Sequence, residues 1–147
     1  AKAGADGLLL LDLPPEEARR DLPRQGDLRR IVLVAPTTPE ERVRSLAASA
    51  SGFVYYVSRE GVTGMQKNLP PSLREKVDFL KKSTPLPVCV GFGISSPEQA
   101  AQVASLSDGV VVGSAIVDRI GKLGRSPKLL PEVTSFLRPI AQAVHAA

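Results

Sequence analysis

Cysteine and aromatic residues are the scarce resources of this sequence, and each scarcity excludes something. Cys89 is the single cysteine of 147 residues, so no internal disulfide can form, which agrees with a reducing, cytoplasmic setting. Aromatic residues make up 4% of the chain and its arginines are spread out, the densest group being RRDLPRQGDLRR (19–30). A net charge of +4 without interleaved stacking side chains does not make a nucleic-acid surface, and no nucleic-acid partner is expected. Long hydrophobic runs are missing too. None approaches the roughly 18 residues that a membrane span needs, and AKAGADG at the start has no basic region followed by an apolar one, so neither membrane nor secretory leader is expected. Repeats, linkers and low-complexity tracts are absent. With 43% apolar and 23% charged residues, the composition is that of an ordinary soluble domain. The length suffices for one core, and a single domain over 1–147 is expected.

What is present is an alternation. Five short apolar runs, GLLLLDL (7–13), RIVLVAP (30–36), FVYYVS (53–58), PVCVGFG (87–93) and GVVVGSAIV (109–117), are continuously apolar, as strands covered on both faces of a parallel sheet should be. Helical segments lie between them. TPEERVRSLAASA (38–50) opens with Thr38 as the expected N-cap, Pro39 at the first helical position and Glu41 completing a capping box. PPSLREKVDFLKKST (70–84) carries Leu73, Val77 and Leu80 as an inward stripe. SSPEQAAQVASL (95–106) starts on Ser96-Pro97-Glu98-Gln99, and Ser126-Pro127 opens a terminal helix over 127–146. Between the first two strands, Pro23 and Gly26 should end any helix by about Leu22. The pattern predicts an α/β fold built from βαβ crossovers.

In such sheets ligands sit at the carboxyl ends of the strands. Two of those ends, Gly91-Phe92-Gly93-Ile94-Ser95 and Gly113-Ser114-Ala115, remove side chains so that backbone N–H groups can approach an anion, and both lead into a helix start. A third, the YYVSREGVTG stretch (55–64), empties a buried strand into a charged loop framed by glycines. Asp12, at the end of the first run, has the form of a turn cap in DLPPEE more than that of an acid or base. Cys89 reads as core, His145 as solvent-exposed, and Tyr55 and Tyr56 point to opposite faces of their strand, so at most one can line a site.

Taken together, SREGVTG, GFGISSPEQA, GSAIV, DLPPEE and APTTPEER closely resemble the tryptophan synthase alpha subunit family, in order and spacing, over essentially the whole chain. The resemblance implies the (β/α)8 TIM-barrel fold and retro-aldol cleavage of indole-3-glycerol phosphate to indole and glyceraldehyde 3-phosphate. It also implies a pyridoxal-phosphate beta subunit as partner, which receives the indole through a tunnel. By matching position it implies that Gly64, Gly93, Gly113 and Ser114 bind the substrate phosphate. Tyr55, Thr63 and Phe92 would line the indole and glycerol site, with Leu9, Leu11 and Val34 as its apolar wall. Arg59, Glu60 and Gly61 would open a lid running from Arg59 to Leu69 that shuts out water and faces the beta subunit. Glu60 and Met65 depart from the small residue and the alanine usual there. No metal and no cofactor of this chain's own is expected.

Set against the family, the five runs correspond to its fourth to eighth strands. Complete barrels need roughly 250 residues. The family's catalytic glutamate and its partner aspartate belong to the absent part, so no catalytic residue is expected here. The expectation is a partial barrel carrying the phosphate site and lid without the acid–base pair, with a noncatalytic phosphate-binding or beta-subunit-interacting half-barrel as the alternative. Another phosphate-binding barrel of tryptophan or histidine biosynthesis would share GFG and GSA but not YVSREGVTG. An open sheet would expose the long apolar edge of GLLLLDL, a template for self-association. The chain is therefore expected to be either a fragment of a longer protein or a half-barrel that dimerises.

Overall fold

The computed structural model describes residues 4–11, 17, 28–58, 72–91 and 93–147. Strands β1 (Gly7–Leu9), β2 (Arg29–Val34), β3 (Val54–Val57), β4 (Val88–Gly91) and β5 (Gly109–Val111) form one sheet in that order. Every neighbouring pair is parallel. Helices α1 (Glu40–Ser49), α2 (Leu73–Ser83), α3 (Pro97–Ala104), α4 (Ser114–Leu123) and α5 (Leu129–Ala146) fall between or after the strands.

Register assigns the faces. Leu33 pairs with Tyr55 and Tyr55 with Cys89, while Val34 pairs with Tyr56 and Tyr56 with Val90. Odd-numbered strand residues therefore share one face and even-numbered residues the other. The core joins the even face (Val32, Val34, Val54, Tyr56, Val88, Val90) to Val43 of α1, Leu73, Val77 and Leu80 of α2, Ala100 and Val103 of α3, and Ile140 of α5. Leu73, Val77 and Leu80 recur at the i, i+4, i+7 spacing that puts three side chains on one helix face. Odd-face side chains such as Leu33, Tyr55, Val57 and Cys89 are only half-buried.

Two local expectations are corrected. Thr38 does not cap α1: the N-cap is Pro39, with no side-chain capping bond. The Thr38 hydroxyl instead accepts from the Ala35 N–H at 3.0 Å, closing the turn after β2, so the capping box with Glu41 does not form. The apolar run 109–117 is not one strand either. It divides at Gly113 into β5 and α4, because the first half lies against β4 while Ile116 and Val117 already donate to the Gly113 carbonyl in a helical turn.

The expected cap of α3 is present. Ser96 Oγ accepts from the Gln99 N–H at 3.3 Å and the Gln99 side chain reaches back to the Ser95 N–H at 3.0 Å, a reciprocal arrangement that satisfies two otherwise unpaired donors. A hydrogen bond from Ser96 is the main reason the Glu98 carboxyl is held below its ordinary range. Ser96→Ala should destabilise the domain by about 1 kcal/mol and let the Glu98 pKa rise. A thermal melt together with carbon-detected NMR of the carboxyl checks both, and an unmoved Glu98 would show that the hydroxyl does not hold it.

Both sheet edges lie open in the described structure, with β1 at one end and β5 at the other. At the first, Leu8, Leu10 and Leu11 are exposed. Among the described residues no helix is long and apolar enough to cross a membrane.

Candidate functional site

The carboxyl ends of β4 and β5 lie side by side, with Gly91 paired to Val111. From β4 the chain passes Gly93, whose φ of +78° is one that side-chain-bearing residues rarely adopt, and enters α3 through the Ser96 cap. From β5 it passes Gly113, the N-cap of α4, directly to Ser114. A β-carbon at Gly113 would meet nothing within 4 Å, and both Gly113 and Ser114 are exposed. The glycine therefore leaves open space in front of the helix start instead of relieving an internal clash. The first N–H groups of α4 have no intrahelical acceptor and sit at the positive end of the helix dipole. Two adjacent strand ends thus each pass through a glycine to a helix start, and at α4 that start is exposed, an arrangement that suits an anion.

Tyr55 stands on the odd face, one strand from Gly91. Burial pushes its phenol above the ordinary value, so it remains a neutral donor across the physiological range. Its position depends on Gly91: a β-carbon there would fall 2.7 Å from Val111 Cβ and 2.9 Å from both Cε2 and the hydroxyl oxygen of Tyr55. Beside it, on the neighbouring strand, burial first and the Asp108 carboxylate second raise the Cys89 thiol. At the carboxyl end of β3, the buried Ser58 donates from its hydroxyl to the Gly91 carbonyl at 3.1 Å and ties the strand ends together.

Of the sequence-predicted residues, the structure brings Gly93, Gly113 and Ser114 to one end of the sheet, and places Tyr55 and Leu9 on one face. Leu9 reaches that face because it pairs with Ile31, two residues before Leu33. Val34 does not belong with them. It is 2% exposed, in the helix-facing core beside Tyr56, since one residue along a strand reverses the face; Leu33 holds the corresponding place on the Tyr55 side. Leu11 lies past the end of β1 and is exposed. Gly64, Thr63, Phe92, Arg59, Glu60, Gly61 and the remainder of the lid lie outside the described residues, as does Asp12. Leu33 was missed in the sequence, and Gly91 was read only as part of the anion loop and not as the neighbour of Tyr55, because both roles come from strand register. Among the described residues no cluster of three or more His, Cys, Asp or Glu could hold a metal ion.

The sequence model of the tryptophan synthase alpha chain matches residues 1–145. The chain belongs to the tryptophan synthase alpha chain family. It is 48% identical over 142 residues to the tryptophan synthase alpha chain of Opitutus terrae, covering 95% of this chain and 52% of that one. With the alpha chain of Geobacter sulfurreducens the identity is 47% over 145 residues, covering 97% and 54%. Among solved structures, it superposes on tryptophan synthase of Mycobacterium tuberculosis with a TM-score of 0.82 at 38% identity, over 97% of this chain and 53% of that one. It superposes on the tryptophan synthase a2b2 complex of Pyrococcus furiosus with a TM-score of 0.83 at 32% identity, over 96% and 57%. The chain thus spans about half the length of the relatives it matches. Its five parallel strands alternating with helices are a partial (β/α)8 barrel, and the odd face corresponds to the barrel interior.

Proposed function

We propose that this chain supplies the phosphate grip and part of the indole-facing wall for retro-aldol cleavage of indole-3-glycerol phosphate to indole and glyceraldehyde 3-phosphate in tryptophan biosynthesis. The observation that carries the reading is the adjacency of the β4 and β5 ends, each opening through a glycine into a helix start, in a chain of this family. In that arrangement the N–H groups of Gly93, Gly113 and Ser114, with Gly64 from the loop after β3, hold the phosphate. The Ser114 hydroxyl adds a bond. Tyr55, with Thr63 and Phe92, flanks the indole and glycerol moiety, and Leu9 contributes apolar wall. The loop from Arg59 to Leu69 closes over the substrate and excludes water during proton transfer.

Breaking the carbon–carbon bond requires a general acid and a general base. We assign that pair to the part of the barrel that this chain, spanning about half the length of its relatives, does not contain. Alone, the chain binds and orients; chemistry needs the complementary strands. Because Pyrococcus furiosus tryptophan synthase is an a2b2 complex, a beta subunit is the proposed partner, facing the lid.

An amide NMR titration with glycerol 3-phosphate tests the grip. Saturable shifts confined to Gly64, Gly93, Gly113, Ser114 and their neighbours are expected, and shifts that scatter over the surface or never saturate would sink the reading.

A further inference from the structure

Helix α4 begins at the proposed phosphate grip, yet none of its side chains is fully buried. Val117 and Ile120 stand 67% and 45% exposed. A helix attached in this way gains little orientation from core packing, so its first turn needs another anchor. Arg119 provides one. Its guanidinium carbon lies 3.3 Å from the centroid of the Phe136 ring on α5, and Nη1 donates to the Ala115 carbonyl at 2.9 Å. A flat, permanently charged guanidinium can stack on a ring and donate from its edge at once, which an ammonium cannot match.

We infer that Arg119 is a positioning residue for anion binding: clamped between Phe136 and the Ala115 carbonyl, it fixes the direction of the first turn of α4 and sets a positive charge beside it. The inference rests on the proposed grip at Gly113 and Ser114, and adds a side chain from the second turn to a site otherwise built of main-chain amides. The clamp acts on geometry because Ala115 directly follows Ser114, so any swing of α4 on α5 re-aims the Gly113, Ser114 and Ala115 N–H groups. It also acts on charge, since a cation near the helix start adds to the field that the dipole directs at an anion.

The test uses the whole chain and two readouts. Hydrogen exchange follows the Ile116 and Val117 amides, which donate to the Gly113 carbonyl at 2.9 and 3.1 Å, with the Ala100 amide, bonded to the Ser96 carbonyl in α3, as internal control. Glycerol 3-phosphate affinity is measured by NMR. Arg119→Met and Phe136→Leu should each lower protection of Ile116 and Val117 about tenfold, leave Ala100 unchanged and weaken glycerol 3-phosphate severalfold. Arg119→Lys should recover part of the affinity through its charge but little of the protection, and Phe136→Tyr, which keeps the ring, should behave as the parent. Unchanged protection in Arg119→Met overturns the inference, as does loss spread equally over α3, α4 and α5, the signature of a merely structural role. If the parent chain binds no glycerol 3-phosphate, the grip fails, and with it the assignment of Arg119 to anion binding. A clamp without a grip would then show only in the exchange data.

Discussion

Gly91→Ala is expected to lower the melting temperature by about 6–9 °C, a cost of about 2–3 kcal/mol for a domain of this size. The added methyl group would lie 2.7 Å from Val111 Cβ and 2.9 Å from two atoms of Tyr55, distances that side chains do not tolerate without movement. Val111 lies in the neighbouring strand, paired to Gly91 itself, so it cannot withdraw without disturbing the ladder. Tyr55 is the freer neighbour, half-buried at the open face, and should take most of the displacement. Replacing glycine inside a strand also gains about 0.5–1 kcal/mol of conformational entropy, which offsets only part of the clash. Tyr55→Ala/Gly91→Ala should therefore cost about 1 kcal/mol less than the sum of the single substitutions, with the remainder set by Val111. Tyr55→Phe should relieve less, because the ring carbon stays in place. Urea or thermal melts of the four proteins measure the coupling, and strict additivity would show that Gly91 does not position Tyr55.

The second large effect lies at the opposite end of the sheet. Asp108 precedes β5 and clamps Val88, the first residue of β4, at both of its backbone groups. The Val88 N–H donates to Asp108 Oδ2 at 2.9 Å, and the Asp108 N–H donates to the Val88 carbonyl at 2.9 Å. Lys81, in the last turn of α2, approaches Oδ1 at 3.0 Å. Burial by itself raises the Asp108 carboxyl, but the Val88 N–H and the Lys81 ammonium outweigh it, and the net shift is downward. Asp108→Ala should cost about 2 kcal/mol, chiefly because it leaves the N–H of a fully buried residue without its acceptor. Asp108→Asn retains an acceptor oxygen and should cost under about 1 kcal/mol, since the Lys81 pair is more than a third exposed and screened.

The pH dependence follows from the sign of the shift. A carboxyl whose folded pKa lies below its unfolded value, near 3.9, stabilises the fold fully above that unfolded value. The contribution is lost as pH falls through the folded pKa. The stability gap between the parent chain and Asp108→Asn should be constant from neutral pH down to about pH 5 and close as pH falls below about 4. Urea midpoints at a series of pH values measure it, and a gap that widened in acid would reverse the assigned sign.

Much of this molecule is legible in its residues. Alternating apolar runs and capped amphipathic segments are local signals, so the α/β order, the inward stripe of Leu73, Val77 and Leu80, and the Ser96 cap of α3 follow from neighbours a few positions apart. Family membership was legible for a related reason: the phrases around Gly64, Gly93 and Gly113 are contiguous and do not need the fold to bring them together. Tertiary structure alone decided most of the rest. Continuously apolar strands carry no alternation to mark which face looks inward, so only the pairing of Leu33 with Tyr55 removes Val34 from the wall and puts Leu33 there. By contrast, the bond from the Ala35 N–H to Thr38 is itself local, spanning three residues, and was missed because a threonine before a helix can serve the preceding turn as readily as the cap. The contacts of Gly91 with Tyr55, Asp108 with Val88 and Arg119 with Phe136 join residues 17 to 36 positions apart, and separations of that length acquire meaning only when packing closes them.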